Sequence, residues 1–203
     1  MRATTEQGDN MSASPQVAVK ITPQEYLEFE RQATEKHEFV DGIIYAMSGA
    51  NENHALIAGN VAGELHLAFK KRPEQVYISN MRVKVNESDY VYPDVIAVCG
   101  DAQFEDNTFD TLSNPTVIIE ILSDSTERYD KGRKAELYRA LPTVQDYVLI
   151  SQTHCYIEHY QRQTATQWLL TIISQMDEKL TLPSVNVTIV VQDIYDKVSF
   201  KLE

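Results

Sequence analysis

Apolar and polar positions change period several times along this chain, and the changes mark its elements. Thr22, with Pro23 behind it and Glu25 at the third position, has the form of a helix N-cap, a proline at the first helical position and an acid closing the cap. A helix is therefore predicted over Pro23 to Glu30. In Glu38 to Met47 (EFVDGIIYAM) an Asp-Gly pair separates two apolar runs, which predicts a strand or hairpin turning at Asp41 and Gly42. Leu56, Ile57, Val61, Leu65 and Phe69 then recur at helical spacing, so an amphipathic helix is predicted from Asn53 to Lys71.

Three β-type runs follow, Val76 to Val85, Tyr90 to Cys99 and Pro115 to Leu122. The last (PTVIIEIL) is apolar enough for a central strand buried on both faces. A second helix is predicted from near Asp130, with Leu137, Tyr138 and Leu141 facing inward, and it must stop at Pro142, because proline disfavours helix in the residue before it. Strands are expected at Asp146 to Ile150, Cys155 to Gln161 and Trp168 to Ser174, and a final apolar segment at Val185 to Tyr195. This order predicts an α/β or α+β fold with a mixed sheet. Residues 1–19 mix Gly, Ser, Asn, Gln and Pro without periodicity, as in an arm too polar to order itself, leaving 20–203 as one domain of ordinary size.

A composition of 43% hydrophobic and 24% charged residues is that of a soluble globular chain, and no apolar run approaches the roughly 20 residues of a membrane span. The N-terminus has neither a basic stretch followed by an apolar one nor an Arg-rich, acid-poor presequence, so a cytoplasmic location is expected. Cys99 and Cys155 form no CxxC pair and are expected to be reduced and packed, a disulfide between them being the alternative. Charge complicates any nucleic-acid role: 18 Lys and Arg against 30 Asp and Glu give −12, whereas phosphate binders usually carry a basic patch. Charge acts locally, however, and Lys70, Lys71, Arg72, Arg82, Lys84, Arg128, Lys131, Arg133, Lys134 and Arg139 concentrate in the middle of the chain.

Two acids inside strand-type sequence carry the candidate chemistry. By alternation Glu120 shares a face with Ile118 and Leu122, and Asp94 shares one with Tyr92 and Ile96. An ionised carboxylate buried without a partner costs several kcal/mol, so such a group is paired, protonated or bound to a metal. One strand acid alone more often sits at an exposed end or pairs with an arginine; two on neighbouring strands favour a metal, and hard oxygen ligands suit Mg²⁺ or Mn²⁺.

Pro93-Asp94, Glu120-Ile121-Leu122-Ser123, Ser125-Thr126, Tyr129-Asp130, Lys134 and Tyr138 together resemble the Uma-type endonuclease family, which is similar to the PD-(D/E)xK nucleases. Glu38 to Gly42, His54 at the start of the long helix, Leu182-Pro183 and Val187 to Tyr195 extend the resemblance over about residues 20–197. The resemblance implies a restriction-endonuclease-like core with flanking helices. It also implies a Mg²⁺ or Mn²⁺ site on Asp94, Glu120 and the Ile121 carbonyl, with Glu38 as an added ligand or support, and DNA as substrate. The usual lysine two residues after the glutamate is replaced by Leu122; Lys134, on the following helix, matches the displaced lysine of this family, and Lys131 is the substitute.

From the residues themselves, Lys134 could equally be an exposed i,i+4 partner of Asp130. Ser123, Ser125 and Thr126 either contact phosphate or cap the helix they precede, His54 either acts or packs, and Tyr138 is expected to pack its ring against the sheet. Hydrolysis by water leaves no covalent intermediate, and cutting two strands would suit a homodimer, although no motif specifies one. The competing class is a domain of nuclease fold that recognises a protein or nucleic acid without turnover, which the net charge favours.

Overall fold

The computed structural model describes residues 21–47 and 49–200. The arm expected at 1–19 lies outside the described residues. Helix α1 (Pro23–Glu30) starts where the cap pattern placed it: the Thr22 hydroxyl accepts from Glu25 N–H at 3.2 Å, and the Glu25 carboxylate accepts from Thr22 N–H at 2.7 Å. β1 (His37–Val40) and β2 (Ile43–Ala46) form the anticipated hairpin. Its turn holds Asp41 at φ 54° and Gly42 at φ 81°, the paired left-handed residues that make Asp-Gly a hairpin signal. α2 (Glu52–Ala68) is capped by Asn51 and ends three residues short of the predicted Lys71.

Two of the predicted strands are each two strands. The run predicted over Val76 to Val85 divides into β3 (Gln75–Ile78) and β4 (Arg82–Lys84), and that over Tyr90 to Cys99 into β5 (Tyr90–Val91) and β6 (Val95–Val98). In both cases the halves belong to different sheets. The reason lies in the backbone: Ser79 has φ 29°, and Pro93 has no N–H to give to a ladder. Apolar alternation is blind to such corners because burial continues through them.

One sheet runs β2-β1-β5-β4-β7, with β7 at Thr111–Leu112. The larger runs β11-β10-β9-β8-β6-β3, with β8 at Val117–Leu122, β9 at Asp146–Ser151, β10 at Ile157–Arg162 and β11 at Trp168–Ile173. It is mixed, since β8 and β9 are parallel and its other pairs antiparallel. A parallel pair needs a crossover, and here it is the helical segment of α3 (Glu127–Tyr129), a π turn (Asp130–Lys134) and α4 (Ala135–Ala140). The crossover begins at Glu127, before the predicted Asp130, and stops at Leu141 ahead of Pro142 as expected. The closing apolar segment is a 3-10 turn (Pro183–Val185), β13 (Val187–Val190) and α5 (Val191–Ile194), with β13 paired to β12 (Lys179–Leu182), a strand the sequence pattern did not reveal.

β8 divides the interior by simple alternation. Val117, Ile119 and Ile121 face a core shared with Ile57, Val61 and Leu65 of α2 and with β13 and α5. Ile118 and Leu122 face a second core with Ile96, Leu137, Tyr138 and the smaller sheet, and Tyr26 and Leu27 of α1 close a third against Phe39 and Tyr90. Cys99 is exposed and Cys155 half-buried, both as free thiols, so neither is the fully packed cysteine expected. No helix among the described residues is long and apolar enough to cross a membrane.

Two substitutions probe this framework in urea titrations. Ile119→Ala, which empties a fully buried position of β8, is expected to cost about 2–5 kcal/mol, and Thr22→Ala, which opens the α1 cap, about 1 kcal/mol.

Candidate active site

Glu120 lies in β8 on the face that alternation assigned to it, and the crossover helix packs over it. Asp130, Lys134 and Tyr138, four residues apart, turn toward that face and are all buried. Lys134 Nζ stands 3.1 Å from Glu120 Oε1, 2.9 Å from Glu38 Oε1 and 3.5 Å from Asp130 Oδ1. Lys134 is only 6% exposed and Glu120 2%, so the exposed-pair alternative for Lys134 is overturned: Asp130 is its partner, but inside the protein. The Tyr138 hydroxyl donates to Glu120 Oε1 at 2.7 Å while its ring sits 5.1 Å from that of Tyr147, so it does more than the packing expected of it.

Asp94 reaches Glu120 from the corner between β5 and β6. It is not inside a strand, as its surroundings in sequence suggested, but in the bend that Pro93 forces just before β6. Pairing of β6 with β8 runs only from Ala97↔Val117 to Val95↔Ile119. Beyond the last rung the Asp94 carboxylate substitutes for backbone: its Oδ2 accepts from Ile121 N–H at 2.8 Å, and Asp94 N–H approaches Glu120 Oε2 at 3.3 Å. His54, in the first turn of α2, completes the contact, with Nε2 2.9 Å from Asp94 Oδ1. Glu38 comes from β1 in the other sheet and accepts from Tyr92 N–H at 3.0 Å.

The electrostatics follow from these counts. Glu38, Glu120 and Asp130 share one ammonium group, with Asp94 beside them. Burial pushes the Glu120 carboxyl well above the usual glutamate range, and the charges of Asp130, Asp94 and Glu38 add to this against the opposing pull of Lys134. Asp130 is raised chiefly by burial. Burial alone would lower Lys134, but Glu120, Glu38 and Asp130 override it and hold the amine well above the lysine range. Burial, with the Glu38 charge adding to it, raises the Tyr129 hydroxyl well above the tyrosine range, and that hydroxyl has no hydrogen-bond partner within bonding geometry among the described residues.

Comparison with known proteins places this arrangement. The model of the Uma2 family, described as "Putative restriction endonuclease", matches residues 23–192. The chain belongs to the Uma2 family. Two uncharacterized proteins of Synechocystis sp. are similar to it: sll1609, 42% identical over 153 residues (74% of this chain, 86% of that protein), and slr1290, 34% identical over 182 residues (89% and 94%). The crystal structure of "a putative nuclease belonging to DUF820" from Anabaena variabilis superimposes with a TM-score of 0.70, covering 88% of this chain and 99% of that one. At 18% identity this likeness bears on fold, and the fold is the restriction-endonuclease-like one expected.

Other residues singled out in this Uma2 chain fall elsewhere. Lys131 points away from Glu120 and pairs with Glu127 at 2.8 Å and Glu158 at 2.9 Å, so it does not stand in for Lys134. Ser123, Ser125 and Thr126 bond mainly to one another: Ser123 Oγ is 3.0 Å from both other hydroxyls, and Thr126 N–H donates to it at 3.2 Å. They act as a local cap, although Ser123 and Lys131 also line a cavity of about 170 Å³ with Ser151, His154 and Tyr156 at the carboxyl ends of β8 and β9. Asp130 is the site residue that pattern reasoning left out of the constellation. Its four-residue spacing from Lys134 was the available signal, but only burial turns that spacing from a surface pair into part of the site.

The shared ammonium makes opposite predictions for its two sides. Lys134→Ala strands three buried carboxylates and is expected to cost about 3–5 kcal/mol. Glu120→Gln keeps an acceptor for Tyr138 while removing a surplus charge, and is expected to raise the melting temperature in metal-free buffer at neutral pH. Because the Glu120 carboxyl holds its proton more tightly folded than unfolded, its contribution to stability falls as pH rises above the ordinary value of 4.5 toward the folded one. Wild type should therefore lose more stability over that window than Glu120→Gln, as read from chelator-containing melts across pH.

Proposed function

We propose that the chain is a Mg²⁺- or Mn²⁺-dependent endonuclease that hydrolyses phosphodiester bonds in DNA, acting in the cytoplasm. The observation that carries this reading is the surplus of buried carboxylates around one lysine. Among the described residues no three His, Cys, Asp or Glu side chains converge tightly enough to ligate an ion by themselves. Mg²⁺ commonly takes only one or two carboxylates and fills its remaining positions with water and phosphate oxygens, so the donor set fits it. Asp94, whose side chain is 15% exposed, and Glu120 would hold the ion together with the Ile121 carbonyl, and Glu38 supports the set through Lys134. A bound dication would stabilise charge growing on the phosphate and lower the pKa of an attacking water.

The chain's own groups divide the remaining work. Lys134, kept protonated by its three carboxylates, is a fixed positive charge that orients the water or stabilises the pentavalent phosphorus. Tyr138 and Lys134 occupy Oε1 of Glu120, which leaves Oε2, with only a long bond from Asp94 N–H, as the oxygen available for a ligand. His54 fixes the rotamer of Asp94. Ser123, Ser125, Thr126 and Lys131 are candidates for contact with substrate flanking the scissile phosphate.

One observation favours a second reading, a nuclease-fold domain that recognises a partner without turnover. The basic residues in the middle of the chain are largely spent inside it, Arg72 on Glu74, Arg82 on Asp110, Lys84 on Glu105 and Arg133 on Asp41. Melting of wild type, Asp94→Ala and Asp94→Asn with and without millimolar Mn²⁺, followed by nicking of supercoiled plasmid, separates the two. The enzyme reading expects Mn²⁺ to raise the melting temperature of wild type alone, by about 2–4 °C for each kcal/mol of binding, with nicks only in those tubes. Indifference to the ion in both assays leaves the recognition domain.

A further inference from the structure

β11 is an open edge built without the usual protections. Among the described residues it pairs only with β10, at the end of the six-stranded sheet. Both of its ends are anchored: Trp168 packs against the second core with the Arg162 guanidinium 4.3 Å from its ring, and Ile173 is buried in the first. The middle is bare, with Leu169 51%, Leu170 44% and Ile172 53% exposed. Edge strands normally carry lysine, proline or a bulge that prevents further pairing. Here the pairing with β10 is regular through all six residues, and Gln163 to Met176 contains no charged residue at all.

We infer that β11 is the interface through which two copies of this chain pair, joining their six-stranded sheets edge to edge. A two-fold axis perpendicular to the sheet makes the new pair antiparallel. Such an axis keeps each residue on its own face, so it centres on a residue; on Thr171 it sets Leu170 opposite Ile172 and Leu169 opposite Ile173, and each exposed apolar side chain gains an apolar cross-strand neighbour. Charge selects the occupant. A chain of net charge −12 repels its own copies over most of its surface, and an uncharged strand is where they can approach. The same neutrality offers a nucleic acid no cation to meet its phosphates. The proposal is independent of catalysis.

Sedimentation equilibrium of the full chain from about 1 to 100 μM tests it, comparing wild type with the double variant Leu170→Lys plus Ile172→Lys. Leu67→Lys plus Phe109→Lys, at exposed apolar positions elsewhere, makes the same change in charge. Wild type and the Leu67/Phe109 control are expected at twice the chain mass and the β11 variant at the chain mass, its dimer weakened at least about 100-fold, with unchanged far-ultraviolet circular dichroism. A wild type that stays monomeric across the range, or a folded β11 variant that stays dimeric, overturns the proposal. Hydrogen exchange of wild type adds a check that needs no variant: the outward-facing amides of β11 should be protected at high concentration and exchange on dilution. Equal exchange at both concentrations would refute the pairing.

Discussion

The ammonium group of Lys134 ties together three distant parts of the chain. It binds Glu38 from the smaller sheet, Glu120 from the centre of the larger one and Asp130 from its own helical segment. Removing such a charge from water costs several kcal/mol before any attraction is counted. The arrangement persists because three carboxylates answer one cation, and they leave a negative excess in place. The resulting stress is of the kind found where a site is shaped for a ligand rather than for stability alone.

A second constraint is steric. Pro93 ends the pairing of β5, and the chain turns from one sheet to the other with Asp94 at the corner. Ser79 N–H donates to the Asp94 carbonyl at 2.9 Å, binding this corner to the matching one between β3 and β4. With no further rung between β6 and β8, the Asp94 carboxylate takes the Ile121 amide itself. One break in the hydrogen-bond ladder therefore both joins the sheets and delivers the first acid to the second.

The charge distribution divides the surface into regions of different character. Most of the central cations are committed to carboxylates within the molecule. The long uncharged β11 ribbon, by contrast, carries its apolar residues into solvent.

Local chemistry was legible in the sequence wherever it was decided locally. The Thr22-Pro23-Glu25 cap, the Asp41-Gly42 turn, the helix carrying Ile57, Val61 and Leu65, and the doubly buried β8 all follow from backbone preferences and periodicities that act within a few residues. The Pro93-Asp94, Glu120 and Lys134 blocks, taken in order, also pointed to the family. What sequence could not express was direction in space. Apolar alternation reads the same through a corner, so Val76 to Val85 and Tyr90 to Cys99 looked like single strands. β12, with its polar alternate positions, fell below the pattern. The i,i+4 pair of Asp130 and Lys134 has the same spacing on a surface as in a core, and only packing of the crossover helix over β8 decided that it is buried. That packing brought Glu38, more than eighty residues before Glu120 in the chain, to the same ammonium group. Sequence determines which groups are present and how the nearby backbone bends; long-range packing decides which charges must share a single space.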